Sequence, residues 1–365
     1  MLGPIDEEAT ESVVRLYARL RSIEGKYALF GHQSDFSIKR AADAESDTVE
    51  ATGTYPAVFG FDVGGIETKH DGPELWAFEE NLRTQMQKVD RLGGIITVSW
   101  HSVNPITGGG YGHNMADHSI RAVLPEGSRH ESYREQIDRA SRFFKSLVSE
   151  DGSPIPVVWR PYHEHNGDWF WWCIGRFDGE IDNEEAEFID LWKMTQSRFM
   201  SNGVHNLLYA SSPDRSRFGV DDYSRTGYFR GYPGDEYVDI LGLDDYIDIG
   251  RFDNSGTRET IYNDFVHVLT RLSEAAARHG KMSACTEIGT PNDLAGAGVK
   301  PWTGFLDKAA RANTETKKIL WYLTWTNSMK PEETNIYGNP LSSDATGADF
   351  KEFARTGYIR FLDRN

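Results

Sequence analysis

Eight short apolar runs punctuate the chain, at residues 27–31, 57–62, 94–101, 157–164, 207–211, 238–244, 282–287 and 319–325. Most are rich in β-branched or aromatic residues and finish in glycine or a polar side chain, as short buried strands do. The gaps between them hold longer stretches, 74–92, 133–148, 184–200 and 260–279, in which apolar residues return every three or four positions. Phe265, Val268, Leu269, Leu272 and Ala276 form one such stripe, the face of a helix that packs on a sheet. Strand and helix in alternation mark parallel β/α architecture, and eight such units predict a (β/α)8 TIM barrel, an α/β fold. A further amphipathic stretch at 7–23 precedes the first strand, so residues 1–26 are expected to lie across the N-terminal end of the barrel as a capping helix. No repeat, low-complexity segment or linker divides the chain, and residues 1–365 read as one domain.

Composition narrows the ligand. With 39 basic and 56 acidic residues the net charge is −17, which argues against nucleic acid or an anionic membrane surface as partner and is indifferent to an uncharged one. No run reaches the ~20 apolar residues of a membrane span. Aromatic residues make up 12% of the chain, a share that favours a ring-stacking site over a phosphate site. Cys173 and Cys285 are too few for a disulfide framework and lack metal-ligand spacing, so both are expected as free thiols. The first residues carry no basic segment followed by an apolar core, the signature of a signal peptide. Two compartments remain open: secreted or periplasmic with a leader removed, or cytoplasmic.

The polar residues collect where the strands finish. Asp62, His101, Glu164, Asp244, Tyr246, Glu287 and Trp325 stand at or just beyond the C-terminal ends of six strands, the face on which barrel enzymes place their reactive groups. Capping explains one or two such residues but not seven. Glu164 and Glu287 end the fourth and seventh strands, which face each other across a barrel mouth. Trp169, Phe170, Trp171 and Trp172 follow Glu164 directly. A carboxyl beside flat apolar rings suits protonation of a glycosidic oxygen while sugars stack on the rings, and glycoside hydrolysis requires two carboxyls. Glu164 would have to rest protonated, and the indoles and the charge on Glu287 both disfavour its ionised form; Glu287 would have to stay ionised and needs donors. Two long polar connections, 104–127 and 250–258, stand out. The first, rich in glycine and histidine, is either a substrate-binding loop or a surface insertion.

The segment Arg160-Pro161-Tyr162-His163-Glu164-His165-Asn166-Gly167-Asp168-Trp169-Phe170-Trp171-Trp172 resembles the acid/base segment of glycoside hydrolase family 26, Arg-Pro-x-His-Glu-x-Asn-Gly-x-Trp-Phe-Trp-Trp, at every fixed position. Thr286-Glu287-Ile288-Gly289 resembles the nucleophile motif of that family, Trp100-His101-Ser102-Val103-Asn104-Pro105 its third-strand segment, and Trp325 its eighth-strand tryptophan. The resemblance implies Glu164 as acid/base and Glu287 as nucleophile, with Tyr246 hydrogen-bonding Glu287 and Arg160 a second, cationic neighbour. It implies that His101 and His163 bond the sugar or orient Glu164, that Trp325 is the sugar platform, and that Trp169 and Trp172 wall neighbouring subsites. Asp62 and Asp244 match acidic positions of the family and could equally hold loops. Trp76, Trp159, Trp192 and Trp321 are expected in the core. The implied reaction is hydrolysis of β-1,4-mannosidic bonds in mannan, galactomannan or mannooligosaccharides without metal or cofactor, with retention and carboxyls ~5–5.5 Å apart. A monomer is the default expectation for the oligomeric state. Mixed-linkage β-glucan and xylan are the alternative substrates. His165 and Cys173 depart from residues common in the family.

Two other classes compete. His163, His165, Glu164, Asp245 and Glu287 could be assembled into the ligand set of a metal-dependent barrel hydrolase, although the His-Glu-x-x-His spacing of zinc proteases is absent. A non-catalytic carbohydrate-binding barrel needs the aromatic platforms but not a pair of carboxyls.

Overall fold

The structure, a computed structural model, describes residues 3–69, 71–110, 116–175, 183–249, 254–289, 300–327 and 337–362. Its strands are β1 (Ala28–Gln33), β2 (Val58–Asp62), β3 (Ile95–Ser99), β4 (Val157–Arg160), β5 (Leu207–Ser211), β6 (Ile240–Asp245), β7 (Met282–Ile288), β8 (Ile319–Thr324) and β9 (Ile359–Arg360). The first eight pair in parallel and in order, and β1 closes the ring by bonding both β2 and β8. The two-residue β9 pairs with the start of β1. The helices are α1 (Glu11–Ile23), α2 (Asp47–Thr52), α3 (Pro73–Leu92), α4 (Ser119–Val123), α5 (His130–Ser146), α6 (Glu185–Ser201), α7 (Arg258–Arg278), α8 (Asp307–Ala310) and α9 (Gly347–Thr356). The (β/α)8 expectation is borne out. No helix among the described residues is long and apolar enough to cross a membrane.

Strand alternation divides the core. Val58, Ile95, Val158, Leu208 and Ile240 point into the barrel, and Val13, Leu16 and Leu20 of α1 pack in the same buried cluster. The intervening side chains, such as Phe59, Ile96 and Trp159, pack outward against the helices. Helix ends follow local chemistry. Pro73 opens α3, Gly93 at φ 77° ends it, and the Thr257 hydroxyl caps α7 by accepting from the Thr260 N–H at 3.1 Å.

Three departures from the sequence reading matter for the site. β4 stops at Arg160, and the chain then turns sharply, with Tyr162 (φ 51°) and Glu164 (φ 53°) both left-handed. Such a backbone costs of order 1–3 kcal/mol at a non-glycine residue and persists only where surroundings enforce it. Here the buried Tyr162 hydroxyl meets Tyr133 Oη at 2.6 Å and Thr195 Oγ1 at 2.7 Å, while the Glu164 N–H donates to the Ser212 carbonyl at 2.8 Å. Second, β7 carries a bulge. Leu243 pairs with Cys285 but Asp244 with Glu287, leaving Thr286 without an opposite residue on β6. Gly242 makes room for it, since a Cβ there would lie 2.7 Å from Thr286 Oγ1. Third, Trp76 is 64% exposed rather than in the core. The buried stripe of α3 runs through Leu75, Leu82, Met86 and Val89, and the residue after Leu75 turns off that face. Trp159, Trp192 and Trp321 are buried as expected.

Candidate active site

A cleft of about 450 Å³ opens at the C-terminal end of the strands, with Glu164 and Glu287 in its wall. One carboxylate oxygen from each of Glu164, Asp244 and Glu287 lies within 4.8 Å of the others. Three carboxylates so close need compensation, and Arg160 supplies it. It follows Val158 on the inward face of β4, so its side chain rises through the barrel interior. Nη1 binds Asp244 Oδ2 at 2.8 Å and Ser212 Oγ at 3.2 Å, and Nη2 binds Glu287 Oε1. Tyr246 donates its hydroxyl to Glu287 Oε2 at 2.7 Å, so both oxygens of Glu287 are held. Thr286, the bulged residue, donates to Asp244 Oδ1 at 2.7 Å.

Glu164 is held differently. The Trp169 indole N–H donates to its Oε2 at 2.6 Å. Burial, followed by the charges of Asp214, Glu287 and Asp244, pushes the Glu164 carboxyl well above the ordinary carboxylic range, against the Trp169 hydrogen bond that favours ionisation. Burial opposes the charge of Arg160, but Asp244 and Glu287 outweigh it and raise its affinity for the proton. Burial and then the charge on Glu287 push the Tyr246 phenol well up, so it remains a donor. The cleft therefore pairs a carboxyl driven toward the neutral form with one fixed between a guanidinium and a phenol.

His101 and His163 form one unit. His101 Nδ1 meets Asp62 Oδ2 at 2.5 Å, and His101 Nε2 meets His163 Nε2 at 3.0 Å. Burial would raise the Asp62 carboxyl, yet His101 and nearby donors bring it below its usual value. Asp62 thus fixes the His101 ring. Burial, then the charges of Arg160 and His101, pushes His163 well below the usual imidazole range, so it is neutral. His163 Nε2 stands 3.9 Å from Glu287 Oε1. Of the two roles expected for the imidazoles, bonding the sugar fits their place in the cleft lining, and His163 stands beside Glu287.

Trp325 and Trp169 line the cleft as anticipated, with the Trp325 ring 5.6 Å from that of His101. Two expectations are corrected. Trp172 has no exposed surface: it stacks on Phe170 at 4.5 Å and donates its N–H to the His163 carbonyl at 2.8 Å, so it supports the cleft from beneath rather than walling a subsite. Arg160 is the cationic neighbour of Glu287 that the sequence reading expects, but it is no substrate contact: it lies buried under the carboxylates, where it reaches Glu287 and Asp244. The two unusual residues are also beneath the surface. His165 stacks on Phe188 at 4.4 Å and Cys173 Sγ contacts the Glu164 carbonyl at 3.3 Å. Both cysteines are free and buried.

The metal-ligand set read from the sequence is not assembled. His165 Nε2 faces the Arg230 carbonyl at 2.7 Å, and Asp245 accepts from the Asp248 N–H at 3.0 Å. The carboxylates that do converge are Glu164, Asp244 and Glu287, and the Arg160 guanidinium spans two of them. A divalent cation there would have to displace a buried counter-charge.

Sequence reasoning missed Asp214, Phe170 and Tyr337, which also line the cleft. Asp214 follows β5, the one strand in the cleft half of the barrel to which no polar end residue was assigned, and it forms a parallel bridge with Asp244. Tyr337 reaches the cleft by packing edge-on against Tyr246, 5.3 Å between ring centres, a contact no local pattern announces. Of the two long connections, the described parts of 104–127 do not line the cleft. Asn104 Oδ1 folds its start into a turn by accepting from Ile106 N at 2.8 Å and Thr107 N at 3.2 Å. Residues 111–115 and 250–253 lie outside the described residues.

Comparison with known proteins agrees with this geometry. Residues 5–331 match the model of glycosyl hydrolase family 26. A mannan endo-1,4-beta-mannosidase of Bifidobacterium adolescentis is 32% identical over 363 residues, covering 96% of this chain; the chain spans only about a third (34%) of that relative's length. The structure resembles the family 26 β-mannanase BoMan26A of Bacteroides ovatus (TM-score 0.81, 32% identity, 96% of this chain and 95% of that one). It also resembles the catalytic domain of the endo-β-1,4-mannanase from Bacillus sp. JAMB-750 (TM-score 0.85, 29% identity, 99% and 94%). With the family model matching nearly its whole length and the carboxyl pair in place on β7 and just beyond β4, the chain belongs to glycosyl hydrolase family 26.

Proposed function

We propose that the protein hydrolyses β-1,4-mannosidic bonds with retention of anomeric configuration. The observation that carries this reading is the pair Glu164 and Glu287, with carboxylate oxygens within 4.8 Å of each other across the cleft. Retaining glycosidases hold their carboxyls ~5–5.5 Å apart, whereas inverting ones leave ~6.5–9.5 Å for a water. Glu287, ionised between Arg160 and Tyr246, attacks the anomeric carbon as Glu164 gives its proton to the departing oxygen. Two charges on the site then change together. The ester on Glu287 carries no negative charge, one of the repulsions that kept Glu164 protonated disappears, and Glu164 ionises to take a proton from the incoming water. Water attacks the same carbon from the leaving-group side and frees Glu287, so two inversions give retention. Trp325 offers the apolar face on which a pyranose stacks. The mannan preference rests on the mannanases among the relatives.

The test is a product time course on β-1,4-mannan and mannohexaose, with mixed-linkage β-glucan and xylan as controls and the anomer of the first product read by proton NMR. Mannooligosaccharides released as the β-anomer are the expected result. Cleavage of β-glucan alone leaves the carboxyl pair standing and replaces the substrate; an α-anomer overturns the mechanism. Glu287→Ala should lower kcat by several orders of magnitude with an unchanged cooperative melt.

A further inference from the structure

Trp169 lies in the cleft wall, where a ring would ordinarily be read as a surface for sugar. Its surroundings assign it another task. The indole N–H points at Glu164 Oε2, 2.6 Å away. The Arg217 guanidinium lies over the ring, 4.8 Å from its centre, and Arg217 is itself ion-paired with Asp168, the residue immediately before Trp169. Gly167 is packed so tightly on the ring that a Cβ there would fall 2.6 Å from Cζ2 and Cη2. Arg217 comes from the short helical turn after β5, so two separate loops grip the one indole.

We propose that Trp169, clamped by Arg217 and Asp168, is a positioning residue that fixes which oxygen of Glu164 carries the catalytic proton. An indole N–H only donates, so the oxygen it binds must act as acceptor. In the neutral acid the better acceptor is the carbonyl oxygen. The bond therefore makes Oε2 the carbonyl and leaves the proton on Oε1, and it stops the carboxyl from rotating between the two arrangements. The same bond serves the second half-reaction, because a carboxylate that keeps one donor is less costly to form in a buried site. Glu164 is otherwise surrounded by groups that set its charge from every side: Asp214 beyond β5, Asp244 and Tyr246 from β6 and its end, Glu287 from β7, and Arg160 below. Trp169 is the donor among the groups that bear on the Glu164 carboxyl most strongly, and it acts against the net push of the carboxylates.

This inference rests on Glu164 being the acid/base, and its test is separable from that reading. Trp169→Phe keeps a flat ring and removes only the N–H. Carbon-13 labelling of the glutamate carboxyls, with Glu164 assigned through Glu164→Gln, reads the titration directly and needs no substrate. The expected result is a Glu164 midpoint about one pH unit higher in Trp169→Phe. Where the wild type is active, the alkaline limb of kcat/KM should move by the same amount while KM changes less than kcat. Arg217→Ala, at a half-exposed position that leaves the core intact, should move both readouts in the same direction by a smaller amount, and Arg217→Lys should restore part of it. A Glu164 midpoint unmoved in Trp169→Phe, or a rise confined to KM, overturns the proposal and leaves the ring as a sugar surface. An inactive wild type with the shifted midpoint would count against the mannanase reading and not against the clamp.

Discussion

Asp244 and Glu287 face each other across β6 and β7 because β7 carries one more residue than its neighbour between Cys285 and Glu287. With strict alternation Glu287 would share the outward face of Cys285, among the helices. The extra residue, Thr286, shifts the phase so that Glu287 turns inward while Ile288 returns to the outer core. It also bonds Asp244, which ties the bulge to the carboxylate opposite. Arg160 then holds both acids from below.

Among the described residues, Arg160 is the buried counter-charge that Asp244 and Glu287 share, with 2% of its surface exposed. Removing one partner of a buried pair leaves the other desolvated and unpaired, at a cost of about 3–5 kcal/mol. Arg160→Leu should therefore lower the free energy of unfolding in urea by about that amount and abolish hydrolysis. A stability within ~1 kcal/mol of wild type would mean that the acids simply take up protons instead.

The raised affinity of Glu164 for its proton makes stability depend on pH. Below the unfolded-state value both states are protonated and nothing is lost. As pH rises through that value the unfolded chain ionises while the native carboxyl does not, so native stability falls until the folded-state value is passed. Glu164→Gln escapes this loss. Its melting temperature should exceed that of wild type at pH 7 and match it near pH 4, as calorimetry at the two pH values can show. The same direction of shift places the alkaline limb of kcat/KM above the range of an ordinary carboxylic acid.

Excess chelator should leave the rate unchanged. Two of the three carboxylates that converge, Asp244 and Glu287, are already bridged by a guanidinium, and nothing in the steps assigned to Glu164 and Glu287 calls for a cation. Loss of activity in chelator, restored by one divalent ion, would revive a metal-dependent mechanism.

Two tryptophans that look alike in sequence should behave oppositely. Trp159 is fully buried between Trp100, Phe144 and Phe199, and Trp159→Ala should cost about 3–5 kcal/mol. Trp76, 64% exposed, should tolerate the same change within about 0.5 kcal/mol. Paired denaturation curves decide it, and a large loss at Trp76 would show that its ring is covered.

Periodicity shows parallel β/α architecture, since buried strands and one-sided helices hide their apolar faces in few ways, and eight such units are the count of a barrel; the closure itself is made by β1 pairing with both β2 and β8. The motif at 160–172 and the glutamate at 287 likewise point, in the sequence by itself, to a carboxyl pair. What the sequence did not contain was direction. A left-handed turn at Tyr162 and Glu164 and a bulge at Thr286 each depend on contacts made by residues distant in the chain: Tyr133, Thr195, Ser212 and Gly242. The same holds for the fate of neighbouring indoles. Trp169 and Trp172 lie in one unbroken aromatic run, yet one donates to Glu164 at the cleft and the other lies beneath it against the His163 carbonyl. Local pattern reports which residue types are present and on which element. Which side chain reaches the cleft is set by long-range packing, and that is a property of the folded barrel alone.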